Sequence, residues 1–424
     1  MIGSALLLGW LLVGQAAADD AAFAAEVHKL VKRLDAPAKA TRDGAEDRLL
    51  ELGARGLGLL PEPGPDDSAE LRQRLARIRQ KLQQSTADAA AEGTRITLHG
   101  RMPLSQALAA LEAASGNRIT DARRKLGAAV ADPQVDVAFE KTPFWSALDT
   151  LLDQTELAAY PFGQEGAIQV VARPPGQLPR RGRAALAGPF RIEPVRVLAR
   201  RDLRTAASPI LVLTLEVAWE PRLRPIGLKQ RLADITARDE LGRPLAVEGS
   251  QAETEALLGR DALAVEMDVP LALPAPPPRQ IASLKGSLRA MVPGKVETFR
   301  FANLLGNKDK VTERIAAATV VLDQVRKNGD TWEVYLRVRF DDAGAALESH
   351  RNWILNNEAC LEGPDGKRIF PSGVEPTERS GNEAGFRYLF DLKQSPAGMA
   401  LVYKTPGSLI TRDFPYELRD ILLP

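Results

Sequence analysis

Residues 103–111 read Pro-Leu-Ser-Gln-Ala-Leu-Ala-Ala-Leu, and residues 143–151 read Pro-Phe-Trp-Ser-Ala-Leu-Asp-Thr-Leu. In both stretches a proline precedes apolar residues at helical spacing, which predicts two short amphipathic helices with the proline in the first turn. We expect Thr142 to cap the second helix and Pro143 to be its first residue. Each helix follows an alternating run, 94–99 or 135–139, that is typical of a half-buried strand.

An extended segment begins at 118–120 after the first helix, and two more strand-like runs, 158–162 and 167–172, follow the second helix. The predicted order over residues 93–173 is therefore β-α-β-β-α-β-β, which indicates an α+β domain with both helices on the sheet.

The two Pro-[Leu/Phe]-x-x-Ala-Leu-x-x-Leu helices and the Gly-Ala-Ile-Gln-Val-Val strand at 166–171 resemble the STN domain, the short N-terminal domain of secretins and TonB-dependent receptors. The resemblance covers about 80 of the 424 residues. It implies a periplasmic module that docks protein partners. Residues downstream do not resemble the rest of either family, so it does not extend to secretion or transport.

The N-terminus reads MIGSALLLGWLLVGQAAADD, in which a short apolar run precedes three alanines. This resembles a secretory signal peptide at residues 1–18, cut after Ala18. A short buried N-terminal helix or a wrongly chosen start codon is the alternative. No further long apolar stretch follows, so we expect no transmembrane helix. Residues 19–88 have helical periodicity and a weak HEAT-like signature at 53–61, which predicts a small helical segment.

The second half of the chain is rich in short alternating strands. The runs 210–219 and 331–340 match in character, and so do the Pro-Gly phrases at 291–299 and 404–414. Two tandem immunoglobulin-like β-sandwiches are therefore predicted, at 189–304 and 305–424. Residues 174–188 contain proline, glycine and three arginines, and we interpret them as a linker.

Four side chains are candidates for an interaction site. Trp145 lies off the buried stripe of its helix and would be an exposed anchor, or else it packs at the edge of the helix–sheet core. Arg180, Arg181 and Arg183 in the predicted linker would form a docking strip for an anionic glycan or lipid, or would only keep the linker solvated.

The residues that carry chemistry are few. His28, His99 and His350 fall in three different predicted segments. Cys360, the only cysteine, lies in a strand-like run, and we expect it to be buried there. Motifs for hydrolysis, phosphate binding or metal binding are absent from the sequence, so we predict no catalytic, metal or cofactor-binding residue and no enzyme. With 56 Lys+Arg against 55 Asp+Glu, the chain lacks the positive field that nucleic-acid binding requires.

These observations predict a secreted or periplasmic binding or scaffolding protein of the cell envelope that docks a protein partner through the STN-like domain. Glycan or peptidoglycan binding through the β-sandwich loops is the first alternative, although only 5% of the residues are aromatic. A hydrolase with an unrecognised site is the second. The Ala- and Arg-rich composition is similar to that of secreted proteins of GC-rich bacteria such as planctomycetes.

Overall fold

A computed structural model describes residues 22–424 apart from 58, 62–63, 65–66, 124–129, 164–165, 201–203, 205–209, 257, 260, 275, 295, 307–309, 342–350 and 380–382. The predicted signal segment, 1–18, lies outside the described residues. Helices come first and are followed by mostly antiparallel strands in several sheets. The broad prediction of a helical segment followed by α+β and β regions is therefore confirmed.

The helical segment has its own small core. It comprises α1 (22–33), α2 (Lys39–Glu51), α3 (Gly53–Leu57) and α4 (Ala69–Ala91). Apolar side chains of all four helices form one cluster, which includes Val27, Leu49 and Ile78. The last turns of α4 leave this cluster, because Ala91 belongs to the core of the sheets that follow.

The duplicated strand–helix unit, here called the α+β unit, has the predicted element order. Its elements are β1 (Arg95–Pro103), α5 (Leu104–Ser115), β2 (Ile119–Asp121), β3 (Gln134–Pro143), α6 (Phe144–Gln154), β4 (Leu157–Tyr160) and β5 (Ile168–Ala172). They form two small sheets rather than one. β1 pairs with β3 antiparallel, while β5 lies between β2 and β4.

The two repeats face each other across the β1–β3 pair. The backbone N–H of Leu104 donates to the carbonyl of Pro133, and that of Phe144 donates to the carbonyl of Thr94, both at 2.9 Å. Each helix therefore begins against the start of the other repeat's strand. The prolines are N-caps with extended backbone, not first helical residues, so the prediction of Thr142 as the cap is wrong by one position. The fixed φ of proline suits both the end of a strand and a cap.

The first β unit contains two sheets that share a core with the α+β unit. Its strands are β6 (Ala185–Ala187), β7 (Phe190–Arg200), β8 (Ile210–Trp219), β9 (Gly227–Arg231), β10 (Thr236–Asp239), β11 (Pro244–Leu245), β12 (Glu253–Ala256), β13 (Ala264–Ala272) and β14 (Gln280–Pro293). One sheet has the order β13-β8-β7-β6. The other is built on β14, which pairs with β9, β10 and a strand from the end of the chain.

The second β unit has a core between two sheets, and this core also includes Ile226, Met291 and Leu409 from outside the unit. Its strands are β15 (Val296–Phe301), β16 (Val311–Ile315), β17 (Ala318–Asn328), β18 (Thr331–Phe340), β19 (Ala359–Glu362), β20 (Arg368–Ile369), β21 (Gly373–Arg379), β22 (Glu383–Asp391) and β23 (Ala400–Pro406). The sheet orders are β15-β23-β19-β20 and β16-β17-β18-β22-β21.

The last strand, β24 (Leu409–Leu422), belongs to the first β unit. It pairs with β14 from Gln280↔Leu422 to Pro293↔Leu409. The predicted boundaries at 304 and 424 are therefore wrong: β15 lies in the second unit, and β24 returns to the first. The two Pro-Gly phrases, predicted to end equivalent copies, lie side by side where the chain crosses between the units.

Candidate functional site

Arg180 is a buried ion-pair partner, so it belongs neither to an exposed docking strip nor to a solvated linker. It is 6% exposed, and its Nε donates to Asp149 of α6 at 2.9 Å. The other oxygen of Asp149 accepts from Nε of Arg191 at 3.0 Å, and Arg191 also donates to Glu193. Residues 174–188 are therefore not a free linker, because this segment packs on α6 and then contributes β6 to a sheet.

Arg181 and Arg183 lie at the rim of the same junction and have exposed side chains. The backbone N–H of Arg181 donates to Asp153 at 2.9 Å, while its guanidinium forms no ion pair with a described residue. The guanidinium of Arg183 lies 3.7 Å from Glu193. Of the three arginines that are candidates for an interaction site, only these two have their charged groups at the surface.

Trp145 is buried, so of the two interpretations offered for it, packing at the edge of the core is found and the exposed anchor is wrong. It is 2% exposed, and its indole N–H donates to the carbonyl of Pro189 at 3.0 Å. Its ring packs edge-on against Phe144, with centroids 5.4 Å apart. The hydrogen bond to Pro189 links α6 to the first residues of the first β unit.

A second buried carboxylate joins the same two units. Glu220, 1% exposed, follows β8 and accepts hydrogen bonds from the backbone and hydroxyl of Thr94, from the amide of Asn117 and from Arg222. Asn117 in turn accepts from the backbone N–H of Arg222 at 3.0 Å. Because the polar clusters at Asp149 and Glu220 flank a continuous core, the α+β unit is held firmly on the first β unit.

Three glutamates lie in register across β7, β8 and β13. Glu216 pairs with Glu193 on one side and with Glu266 on the other. Glu193 is paired with Arg191 and Glu266 with Arg196, but Glu216 has no such partner among the described residues. Burial raises the pKa of Glu216, and its two glutamate neighbours raise it further against the opposing pull of nearby arginines.

An exposed aromatic pair lies at the end of β4. Tyr160 is 47% exposed and Phe162 is 39% exposed, and their ring centroids are 5.9 Å apart. Sequence reasoning missed this pair. A signal was present, since residues two apart at the end of a strand project to the same side.

The backbone edge of β4 beside this pair is covered. The carbonyl of Leu157 accepts from Arg173, and that of Ala159 accepts from Arg180. On β3, the side chain of Gln154 bonds both the N–H and the carbonyl of Asp136. Side chains occupying backbone groups in this way protect a strand edge from pairing with another chain.

The other chemically active residues are dispersed. His28 bonds a carbonyl in its own helix, while His99 is exposed on β1 with Glu140 at 3.3 Å. His350 lies outside the described residues. Cys360 is buried in β19 as predicted, and burial raises the pKa of its thiol.

Within the described ranges, no group of three or more His, Cys, Asp or Glu residues is placed to hold a metal ion. No helix among those residues is both long enough and apolar enough to cross a membrane. A search of protein-family models, of curated proteins and of solved structures found no match to this chain.

Proposed function

We propose that this chain is a non-enzymatic binding protein of the bacterial cell envelope, secreted or periplasmic, which docks a protein partner through its α+β unit. The exposed pair Tyr160 and Phe162 carries the proposal. Tyrosine and other aromatic side chains are enriched at the centres of protein interfaces, because they bury a large area at a small cost in conformational entropy. Arg181 follows Arg180, whose guanidinium contacts the Ala159 carbonyl of β4, and we include its exposed guanidinium in the proposed surface.

The surroundings of the pair favour docking by side chains over addition of a strand. Because arginines occupy the outer carbonyls of β4, a partner strand would have to displace them. The buried clusters at Asp149 and Glu220 hold the unit on the first β unit. A rigid base of this kind lowers the entropy lost when a partner binds.

The finer fold assignments belong to the same proposal. An STN-like fold for the α+β unit is supported by its element order and by its two Pro-[Leu/Phe]-x-x-Ala-Leu-x-x-Leu helices. Immunoglobulin-like folds for the two β units are supported by paired antiparallel sheets around a shared core. The envelope location rests on the signal-like N-terminus and on the family resemblance.

The test is crosslinking and affinity capture from native envelopes with the full chain and two variants. Tyr160→Ser with Phe162→Ser should reduce capture of the partner at least tenfold. Phe370→Ser is the matched control, since Phe370 is a 60% exposed aromatic on the second β unit and should leave capture unchanged. Equal capture by both variants and the parent chain would contradict the proposed surface.

Glycan or peptidoglycan binding is a second candidate that the same pair favours, because exposed aromatic faces can stack on sugar rings. Sedimentation with insoluble peptidoglycan separates the two candidates. Binding to peptidoglycan that is lost in the Tyr160/Phe162 variant, without any captured protein, would favour the glycan.

A further inference from the structure

The second β unit is inserted into the first between two paired strands. β14 leaves the first unit at Pro293 and β24 re-enters it at Leu409, and these two residues are cross-strand partners. The second unit begins at Val296 and ends at Pro406, which are also partners. At the crossing, the N–H of Gly294 donates to the carbonyl of Ser408 at 2.9 Å. The folded second unit therefore presents both of its ends at one place.

β24 connects the inserted second unit to the rest of the molecule through side-chain contacts. Its Phe414 packs edge-on against Phe190 of β7, with centroids 4.9 Å apart. Its Tyr416 hydroxyl accepts from Gln230 of β9, and Arg412 bonds both the carbonyl and the carboxylate of Asp88 in α4. Loss of β24 would loosen the β14 sheet, β7 and the end of α4 together.

We propose that the second β unit acts as a clamp whose folded state keeps β24 on the first β unit. While it is folded, a short crossing brings β24 beside β14. Once it unfolds, the same pairing must close a loop of about 115 residues between Pro293 and Leu409. The loop-closure entropy of a chain this long shifts the equilibrium for release of β24 by up to about a thousandfold.

The coupling runs mainly in one direction. Every strand that the structure describes in the second unit lies between Val296 and Pro406, so none of these strands comes from elsewhere in the chain. Opening of the first unit removes neither a strand nor a loop constraint from it, and takes away only the packing of Ile226, Met291 and Leu409 on its core. A ligand or a modification that changes the stability of the second unit would therefore also change the stability of the first unit and of the end of α4. A change in the stability of the first unit has only a weak effect on the second.

Hydrogen exchange with mass spectrometry on the full chain tests the clamp. Leu336→Ala and Leu213→Ala are matched substitutions, because both leucines are almost fully buried in central strands, one of the second unit and one of the first. In mild urea, Leu336→Ala should speed exchange in β14 and β24 as well as in β18 and β22. Leu213→Ala should speed exchange in β8 and β13 and leave β18 and β22 protected.

Two results would overturn the proposal. The first is that Leu336→Ala speeds exchange in β18 and β22 while β14 and β24 keep their protection. The second is that Leu213→Ala speeds exchange in both units to the same extent. If Leu336→Ala does not fold, the milder Val334→Ala in the same strand replaces it, since Val334 is also fully buried. The clamp is independent of the proposed partner surface, because exchange is read on the chain alone.

Discussion

The junction between α6 and the first β unit should depend on one carboxylate. Asp149 is shared by Arg180 and Arg191, and all three side chains are almost completely buried. Asp149→Ala would leave two guanidinium groups without that partner in a site from which water is excluded. Breaking a buried ion pair in this way costs about 3–5 kcal/mol. At about 2–4 °C per kcal/mol for a folding unit of 150–250 residues, Tm should fall by about 10 °C.

The assay is urea and thermal unfolding of the full chain, read from tryptophan fluorescence because Trp145 lies at the junction. Asp136→Ala is the matched control. Its carboxylate is 83% exposed and lies 4.0 Å from Arg101, so the loss should stay within about 0.5 kcal/mol. Adding Arg191→Met to Asp149→Ala should recover part of the loss, because one buried charge is removed. Equal effects of the two aspartate substitutions, or strict additivity with Arg191→Met, would refute the reasoning.

Four further predictions concern single side chains. Hydrogen bonds, first from Asn328, hold the pKa of Glu333 at about 2, so Glu333→Gln should destabilise the chain at pH 7, and urea titrations should show this effect fading as pH falls from about 4.5 to about 2. Burial raises the pKa of Glu216, so the folded chain favours the neutral carboxyl group. The stability that this gives is present at low pH and is lost as the pH rises through the raised pKa. Glu216→Gln should therefore stabilise the chain at pH 7 and change nothing below about pH 4.5 in the same titrations. Trp145→Phe should cost about 1–3 kcal/mol in unfolding experiments, because the carbonyl of Pro189 loses its donor. The thiol of Cys360 should react with a colorimetric thiol reagent only after unfolding, and rapid reaction of the folded chain would contradict its burial.

Local features of the α+β unit were predictable because they depend on neighbours in the chain. The apolar stripes of α5 and α6 follow from helical spacing, and both are buried as predicted. Gly116 follows the last apolar residue of α5 and has φ of 71° at the C-cap, a conformation that glycine adopts without strain. Burial of Cys360 was likewise expected from its place in an apolar strand.

The candidate site was much less predictable. Arg180 stands among proline and glycine in a segment that reads as a solvated linker, yet its partner, Asp149, lies 31 residues earlier on α6. Trp145 lies off the apolar stripe of its helix, and it is buried because Pro189, 44 residues later, packs against it. No pattern in either local stretch indicates these contacts.

The sequence by itself determined the repeat, the element order of the α+β unit and the two regions of short strands, because hydrophobic periodicity and turn residues act over a few positions. Only the tertiary structure decided which charges are buried, which aromatic side chains face solvent and to which sheet each strand belongs. The placement of β24 shows why. Its alternating apolar residues suit any half-buried sheet edge, and the choice of β14 depends on the free energy gained by packing residues that are more than a hundred positions apart.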